Sequence, residues 1–397
     1  MFVSRVASVA FLSALALAST AQRSLAQEAN GAAPGAEVTG DTIVFGQTAA
    51  QSGPNAPTGE AKWGLQAYLD YTNSRGGVAG KKLRLISYDD GYQPAQTTAL
   101  VKKLVYDDHV FAIVGSVGTP TNGSVYESLN DGGIPLVAMA TGSPIFYNPT
   151  RKSVFPSWPL YSTDGKTMGA FVQRHFAHDS VGIIYQDDAF GKPIRDGVLS
   201  ELGRPADMML PYVPSQVDFS SDVIKLKSAN IKVVIFAAIA TPASQILNQM
   251  ANLNYHPTRV LTSSACGYSG IFSSISSLDG TYCSAFLPAP GSSDPRWIAF
   301  SNAMKQFAPG HAAEVYAAWG WLSGEVAVAG LRGIKGPITR EKFVAQLDKL
   351  KNLETIGGRL TYSPEAHSGI CCQIMWQAKG GRWTVLPDKA FDATTSK

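Results

Sequence analysis

Residues 111–123 read FAIVGSVGTPTNG, and residues 233–245 read VVIFAAIATPASQ. Each stretch is an apolar run that breaks into small residues and then into Thr-Pro, at Thr119-Pro120 and at Thr241-Pro242. An apolar run without polar alternation suits a strand buried on both faces, as in a parallel sheet covered by helices. The surrounding pattern agrees. Strands are expected at residues 42–47, 82–88, 111–114 and 135–138, separated by helices at 57–74, 94–106 and 122–129. Ala61, Gly64, Leu65, Tyr68 and Tyr71 share one helix face, and Thr97, Val101, Leu104 and Val105 share another.

The alternation then restarts. Helices are expected at 163–176, 190–202, 219–227 and 242–253, with strands at 181–185, 208–212, 233–236 and 260–262. Both rounds place Asp-Asp just after an apolar run, at Asp89-Asp90 and Asp187-Asp188. Two α/β lobes of similar wiring are the economical reading. Further on, helices are expected at 294–307, 312–334 and 340–350, and strands at 359–362, 372–377 and 383–386. The helix at 312–334 reads as amphipathic and packed, with Val315, Ala318, Trp319, Leu322, Val326 and Ala329 inward. PSWPLY (156–161) and AFLPAPG (285–291) read as connections between lobes, so the chain crosses more than once. Such crossings make a hinge suited to closure around a ligand.

The chain has 397 residues, which favours two domains, and its net charge is only +3. Without a basic run interleaved with aromatics, nucleic acid is not an expected partner. Arg5 precedes an apolar run at 6–18, and Ser24-Leu25-Ala26 offers a cleavage site. A secretory signal peptide over 1–26 is therefore expected, followed by a flexible leader over 27–40, and the mature protein should be exported to the periplasm. Export permits disulfides among the four cysteines. Cys266 with Cys283 is the expected pair. Cys371 and Cys372 should point to opposite faces of a strand, leaving at least one as a buried thiol.

The catalytic and cofactor motifs fail one by one. RGGVAGKK has Arg75 where a phosphate loop needs glycine, and Lys82 where it needs Ser or Thr. GYSGI at 267–271 lacks the last glycine of a nucleophile elbow. None of the six histidines has metal-ligand spacing. The Asp-Asp pairs read as helix caps rather than general acid/base pairs. No catalytic residue, metal or cofactor is expected. What remains is a set of strand-end loops rich in small hydroxyl residues: Ser52; Ser116, Val117, Gly118 and Thr119; Ala140, Thr141 and Gly142; and, in the second lobe, Ala240, Thr241 and Ser264. In open α/β sheets ligands bind beyond the carboxyl ends of the strands. Trp158 and Tyr161, near the first connection, are candidates to stack on such a ligand.

The order GQTAAQSGP, NSRGGVAGKKLRLISYDD, KLVYDDHVFAIVGSVGTP, GGIPLVAMATGSP, VGIIYQDDAFGK and DFSSDVIKLKSANIKVVIFAA resembles the exported substrate-binding proteins of ABC importers, in the Leu/Ile/Val-binding family. The resemblance covers about residues 41 to 386. It implies an α/β, type I periplasmic binding fold: two doubly wound parallel-sheet lobes joined by three crossovers, with a ligand cleft between. The first lobe would hold residues 41–157 plus 288–355, the second 158–287 plus 356–390, with a tail at 391–397. It implies no catalysis, and as partners a small-molecule ligand and an ABC permease with ATPase subunits in the membrane. In this family the loops matching Ser116 to Thr119 and Ala140 to Gly142 hold the ligand carboxylate. The aromatic of the second lobe falls here on Phe190. Amino-acid binders hold the ammonium with a Tyr and an acid from two further loops, which here read AAIATP and TSSACG, with neither. A buried ammonium without counter-charge is costly. The expected ligand is therefore a small organic acid, aromatic or otherwise apolar, or an amino-acid-like metabolite. A ligand sensor signalling to a separate receptor is the alternative.

Overall fold

The computed structural model of the protein describes residues 33–266 and 278–386. The expected signal peptide, leader residues 27–32, the stretch GYSGI at 267–271 and the tail at 391–397 lie outside these.

A first sheet, all parallel, has the order β2-β1-β3-β4-β5. Its strands are β1 (Thr42–Ala49), β2 (Lys82–Asp89), β3 (Ala112–Val114), β4 (Leu136–Val137) and β5 (Val154–Phe155). The intervening helices are α1 (Ala61–Ser74), α2 (Pro94–Tyr106), α3 (Thr119–Gly123) and α4 (Tyr126–Asp131). Residues Gly53–Glu60 form a 3-10 helix kinked at Asn55, so the α-helix that the sequence pattern starts at 57 begins at Ala61. The single helix expected at 122–129 is likewise split into α3 and α4.

The second sheet has the order β15-β14-β10-β9-β8-β6-β7. Strands β6 (Val181–Gln186), β7 (Met208–Tyr212), β8 (Val233–Ala237), β9 (Thr258–Leu261) and β10 (Thr281–Ala285) are mutually parallel. Strands β14 (Ile374–Lys379) and β15 (Arg382–Val385) add to it antiparallel. Every residue of β6 and β8 is buried, as a strand covered on both faces requires. Helices α5 (Tyr161–His175), α6 (Gly191–Leu202), α7 (Ser220–Ser228), α8 (Ala240–Asn252) and the short α9 (Ser263–Cys266) belong to this part of the chain.

Helices α10 (Pro295–Phe307), α11 (Val315–Arg332) and α12 (Arg340–Leu347) follow, and then a small antiparallel sheet of β11 (Leu353–Thr355), β12 (Gly358–Ser363) and β13 (Ala366–Ile370). That small sheet leans on β5: the Tyr362 hydroxyl donates to the Pro156 carbonyl at 2.9 Å, and a His367 ring nitrogen lies 2.6 Å from the Val154 carbonyl. The chain enters the second sheet through residues 371–373. Cys371 and Cys372 lie in this link, not in a strand, and are bridged to each other, so neither is the buried thiol that a strand would have made. Cys266 and Cys283 form the other bridge, tying α9 to β10.

Helix α11 departs from the one-faced pattern expected of it. It is buried almost all round, and Glu325 lies inside, accepting from the Trp321 indole at 3.0 Å and from the Ile356 amide at 2.8 Å. A helix apolar on every side is one packed on every side. Its partner α1 crosses it at two glycines. A Cβ on Gly64 would stand 1.6 Å from the Ala317 carbonyl oxygen, and one on Gly320 1.7 Å from that of Ala61. The two backbones touch, and no side chain fits between them. Gly320→Ala should therefore destabilise the protein by about 1–3 kcal/mol or more through forced separation of the helices. Urea unfolding measures this, and a variant as stable as the parent would contradict the contact.

Candidate functional site

Beyond the carboxyl ends of the strands, the two parts of the chain meet around a narrow cleft with a cavity of about 20 Å³. From the first sheet come Asn55 and Thr58 after β1, Tyr92 after β2, Val117, Gly118 and Thr119 after β3, and Ala140 after β4. From the second come Phe190 after β6, Ile239 after β8 and Ser264 after β9. Trp158 and Tyr161 enter from the first crossover and Trp319 from α11. That volume is far below the roughly 300–1,000 Å³ typical of small-molecule sites, so the cleft as it stands is nearly closed.

The wall is held by contacts across the cleft. The Thr119 and Tyr161 hydroxyls are 3.3 Å apart, and Thr119 is also 2.8 Å from the Thr141 hydroxyl behind it. Gln186 donates to the Tyr92 hydroxyl at 3.4 Å, and the Tyr316 hydroxyl to the Ser264 carbonyl at 2.8 Å. Phe190 meets Tyr161 edge to face at 5.0 Å, and Trp158 packs likewise on Trp319 at 4.3 Å and on Phe286 at 4.6 Å. Burial raises the Tyr161 phenol above its ordinary pKa, so it acts as a neutral donor and acceptor.

Local sequence explains the loop conformations. Gly118 has φ +113°, and a Cβ there would lie 2.4 Å from the Thr121 hydroxyl and 2.8 Å from the Tyr92 ring. Only glycine lets the loop turn into α3 with Thr119 facing Tyr161. Tyr92 itself has φ +61°, an unfavourable backbone for a bulky residue, held by its amide donating to the Asp90 carboxylate at 3.0 Å. The Asp-Asp pairs serve as loop anchors. Asp89 accepts from the amides of Gln51, Ser52 and Gly91, and Asp188 from those of Phe190 and Gly191 at the start of α6.

The structure thus brings together Val117, Gly118, Thr119, Ala140, Trp158, Tyr161, Phe190 and Ser264. The remaining candidates sit elsewhere. The Ser116 hydroxyl accepts from the Thr48 amide at 3.0 Å, inside the sheet. Thr141 stands behind Thr119. The Gly142 carbonyl accepts from the Tyr161 amide at 2.8 Å, which positions that ring. Ser52 is exposed on the Asp89 anchor, and Ala240 and Thr241 begin α8 without reaching the space. Asn55, Thr58, Tyr92, Ile239 and Trp319 complete the lining, and sequence reasoning did not single them out. The clearest signal was positional, since Tyr92 and Ile239 each follow an apolar strand.

Two features define what this lining can do. Among the described residues it contains no Asp, Glu, Lys or Arg. It does contain buried polar atoms with no partner in the protein: the indole nitrogens of Trp158 and Trp319 and the side-chain oxygen of Asn55. Buried donors left unpaired cost on the order of 1–3 kcal/mol each. A second groove, formed by residues 51–63 and 310–314, is open to solvent and different in kind: His311 stacks on Trp63 at 3.9 Å and contacts Glu60 at 3.1 Å. Among the described residues no group of three His, Cys, Asp or Glu is placed to hold a metal, and no helix is long and apolar enough to cross a membrane.

The chain belongs to the periplasmic binding protein family, whose model matches residues 42–382. It is similar to the Leu/Ile/Val-binding protein of Escherichia coli, 26% identical over 206 residues, which are 50% of this chain and 55% of that protein. It is also similar to an amino acid binding protein of Pseudomonas aeruginosa, 24% identical over 52% of this chain and 57% of that one. These matches span little more than half the length of the curated relatives. In fold it is similar to a possible leucine/isoleucine/valine-binding protein from Rhodopirellula baltica, with TM-score 0.81 and 22% identity over 88% of this chain and 98% of that one. A solute-binding protein of an ABC transporter from R. palustris, solved with benzoate, matches with TM-score 0.77 and 18% identity over 87% and 95%. The fold is the type I periplasmic binding fold.

One turn into α5 from Tyr161, Asp164 is fully buried. One carboxylate oxygen lies 3.4 Å from the Ser263 hydroxyl. Burial raises its pKa from 3.8 to about 7, against the lowering effect of hydrogen bonds from Ser284 and Ser263. Between these two values the folded protein holds a proton that the unfolded chain has released, so this group's contribution to stability falls as pH rises through the window. Asp164→Asn cannot ionise and should gain on the parent from about pH 4 to about pH 8. Asp90 and Glu325, raised by burial to about 6 and about 7, cancel in the comparison. Urea unfolding of both proteins across this range decides, and a pH-independent difference would contradict a carboxyl kept protonated by burial.

Proposed function

We propose that the protein is the solute-binding component of an ABC importer, closing its lobes on a small carboxylate with an apolar or aromatic body and passing it to a membrane permease with ATPase subunits. The observation that carries the reading is the cleft lining: neutral throughout the described residues, walled by Trp158, Tyr161, Phe190 and Trp319, and holding unpaired indole donors. In this reading the carboxylate lies against the loop of Gly118 and Thr119 and the Tyr161 hydroxyl, and the indoles of Trp158 and Trp319 donate to it or to a second acceptor. The amino-acid alternative is weaker, because the lining offers no acid to an ammonium, whose burial unpaired would cost several kcal/mol. Benzoate in the R. palustris protein shows that a protein of this fold can be solved with an aromatic acid. Isoleucine in the Streptococcus pneumoniae protein shows the other possibility.

The lobes are proposed as residues 41–157 with 288–370, and 158–287 with 374–386, hinged where the chain passes between them. Release into the periplasm after cleavage near Ala26, an absence of catalysis, and no nucleic-acid partner belong to the same reading.

A thermal-shift panel of aromatic and aliphatic carboxylates, amides, amino acids and sugars tests it. A carboxylate at about 100 times its Kd should stabilise the protein by roughly 2.7 kcal/mol, whereas leucine, isoleucine and valine should not. Trp158→Phe keeps a ring and loses the N–H, and should weaken that carboxylate about tenfold by calorimetry. Tight leucine binding with no carboxylate binding would overturn the ligand class.

A further inference from the structure

The link that carries the chain from the small sheet into the second sheet is three residues long, and two of them are the bridged pair Cys371 and Cys372. The link is fastened on both sides. The Ile370 amide donates to the Ser157 carbonyl at 3.1 Å, in the first crossover and next to Trp158. Gln373, buried, accepts from the Ser284 hydroxyl at the end of β10. Between these fixed points Cys371 is exposed and Cys372 half-exposed. The other bridge is the opposite case: Cys266 is 2% exposed and Cys283 is fully buried.

We propose that Cys371–Cys372 is a thiol–disulfide exchange site, open to dithiols in solution, whose oxidation state sets the mobility of the third crossover. Access decides which disulfide a thiolate can attack, and exposed bridges are the labile ones. The chemistry balances with a dithiol as co-reactant. One of its thiolates attacks the Cys371 sulfur, and the bond's electron pair leaves with the Cys372 sulfur, which takes a proton from water. The second thiol of the reagent then attacks the mixed disulfide and releases Cys371. The protein pair gains two electrons and two protons, and the dithiol leaves as its own disulfide. Closed, the bridge makes one small ring of two residues and removes backbone freedom between Ile370 and Gln373. Open, the link keeps its two fastenings and regains that freedom. The proposal rests on the cysteines and the crossover, not on any ligand.

The experiment uses the folded protein from Gln27 onward, treated with dithiothreitol, quenched with iodoacetamide and digested for mass spectrometry. Cys371 and Cys372 should be alkylated while Cys266 and Cys283 remain bridged. Amide hydrogen exchange over residues 366–376 should rise roughly tenfold on reduction, with the rest of the second sheet unchanged. The double variant Cys371→Ser with Cys372→Ser should show the same rise without reductant. Phenylarsine oxide, which condenses with two thiols and releases water, should relock the reduced pair and reverse the rise. The proposal falls if the pair stays unalkylated, if Cys266 and Cys283 react first, or if exchange across 366–376 is the same in the oxidised, reduced and double-variant proteins.

Discussion

A parallel strand cannot follow its neighbour through a tight turn. Each must be reached by a crossover, which delivers every carboxyl end to the same edge of the sheet. Here that constraint acts twice, once on β1 to β5 and once on β6 to β10, and the crossings bring the two loop-bearing edges face to face. The cleft follows from this wiring. Its boundary is finished by the crossover that follows β5, with Trp158 and Tyr161, and by Trp319 on α11, clamped to α1 through Gly64 and Gly320.

The long, strongly periodic elements were legible in the sequence. The helix at 94–106 and the strand at 208–212 lie where the pattern places them. Helix α8 starts two residues early, because a proline within the first turn removes an N–H that needs no intrahelical partner. What escaped was short or long-range. Strand β5 has two residues, and β13 carries His367 and Gly369 in a stretch that reads as loop. The all-round burial of α11 depends on neighbours from both ends of the chain, which periodicity cannot show. The same reasoning applies to the cleft. Hydroxyl-rich loops pointed to the right edge, but a serine beside a strand end looks alike whether it faces the cleft or, as Ser116 does, the next strand. Trp319 keeps helical spacing with core residues and reads as core until the fold puts it opposite Trp158.

The electrostatics of the region follow one theme. Carboxylates near the cleft are anchors or are buried behind it: Asp89 and Asp188 bind loop amides, and Asp164 sits in α5 with its pKa pushed up to about 7. The described lining is left with hydroxyls, an amide and indoles. Such a surface can hold a carboxylate through N–H and O–H donors but has no acid to pair with a buried ammonium.

The most direct measurement is a crystal structure with the tightest-binding carboxylate found. The account predicts the ligand between Thr119 and Tyr161, stacked among Trp158, Phe190 and Trp319, with at least one indole donating to it and no charged side chain within hydrogen-bond distance. A ligand seated instead in the open groove at Trp63 and His311, or one whose ammonium meets an Asp or Glu in the cleft, would contradict it.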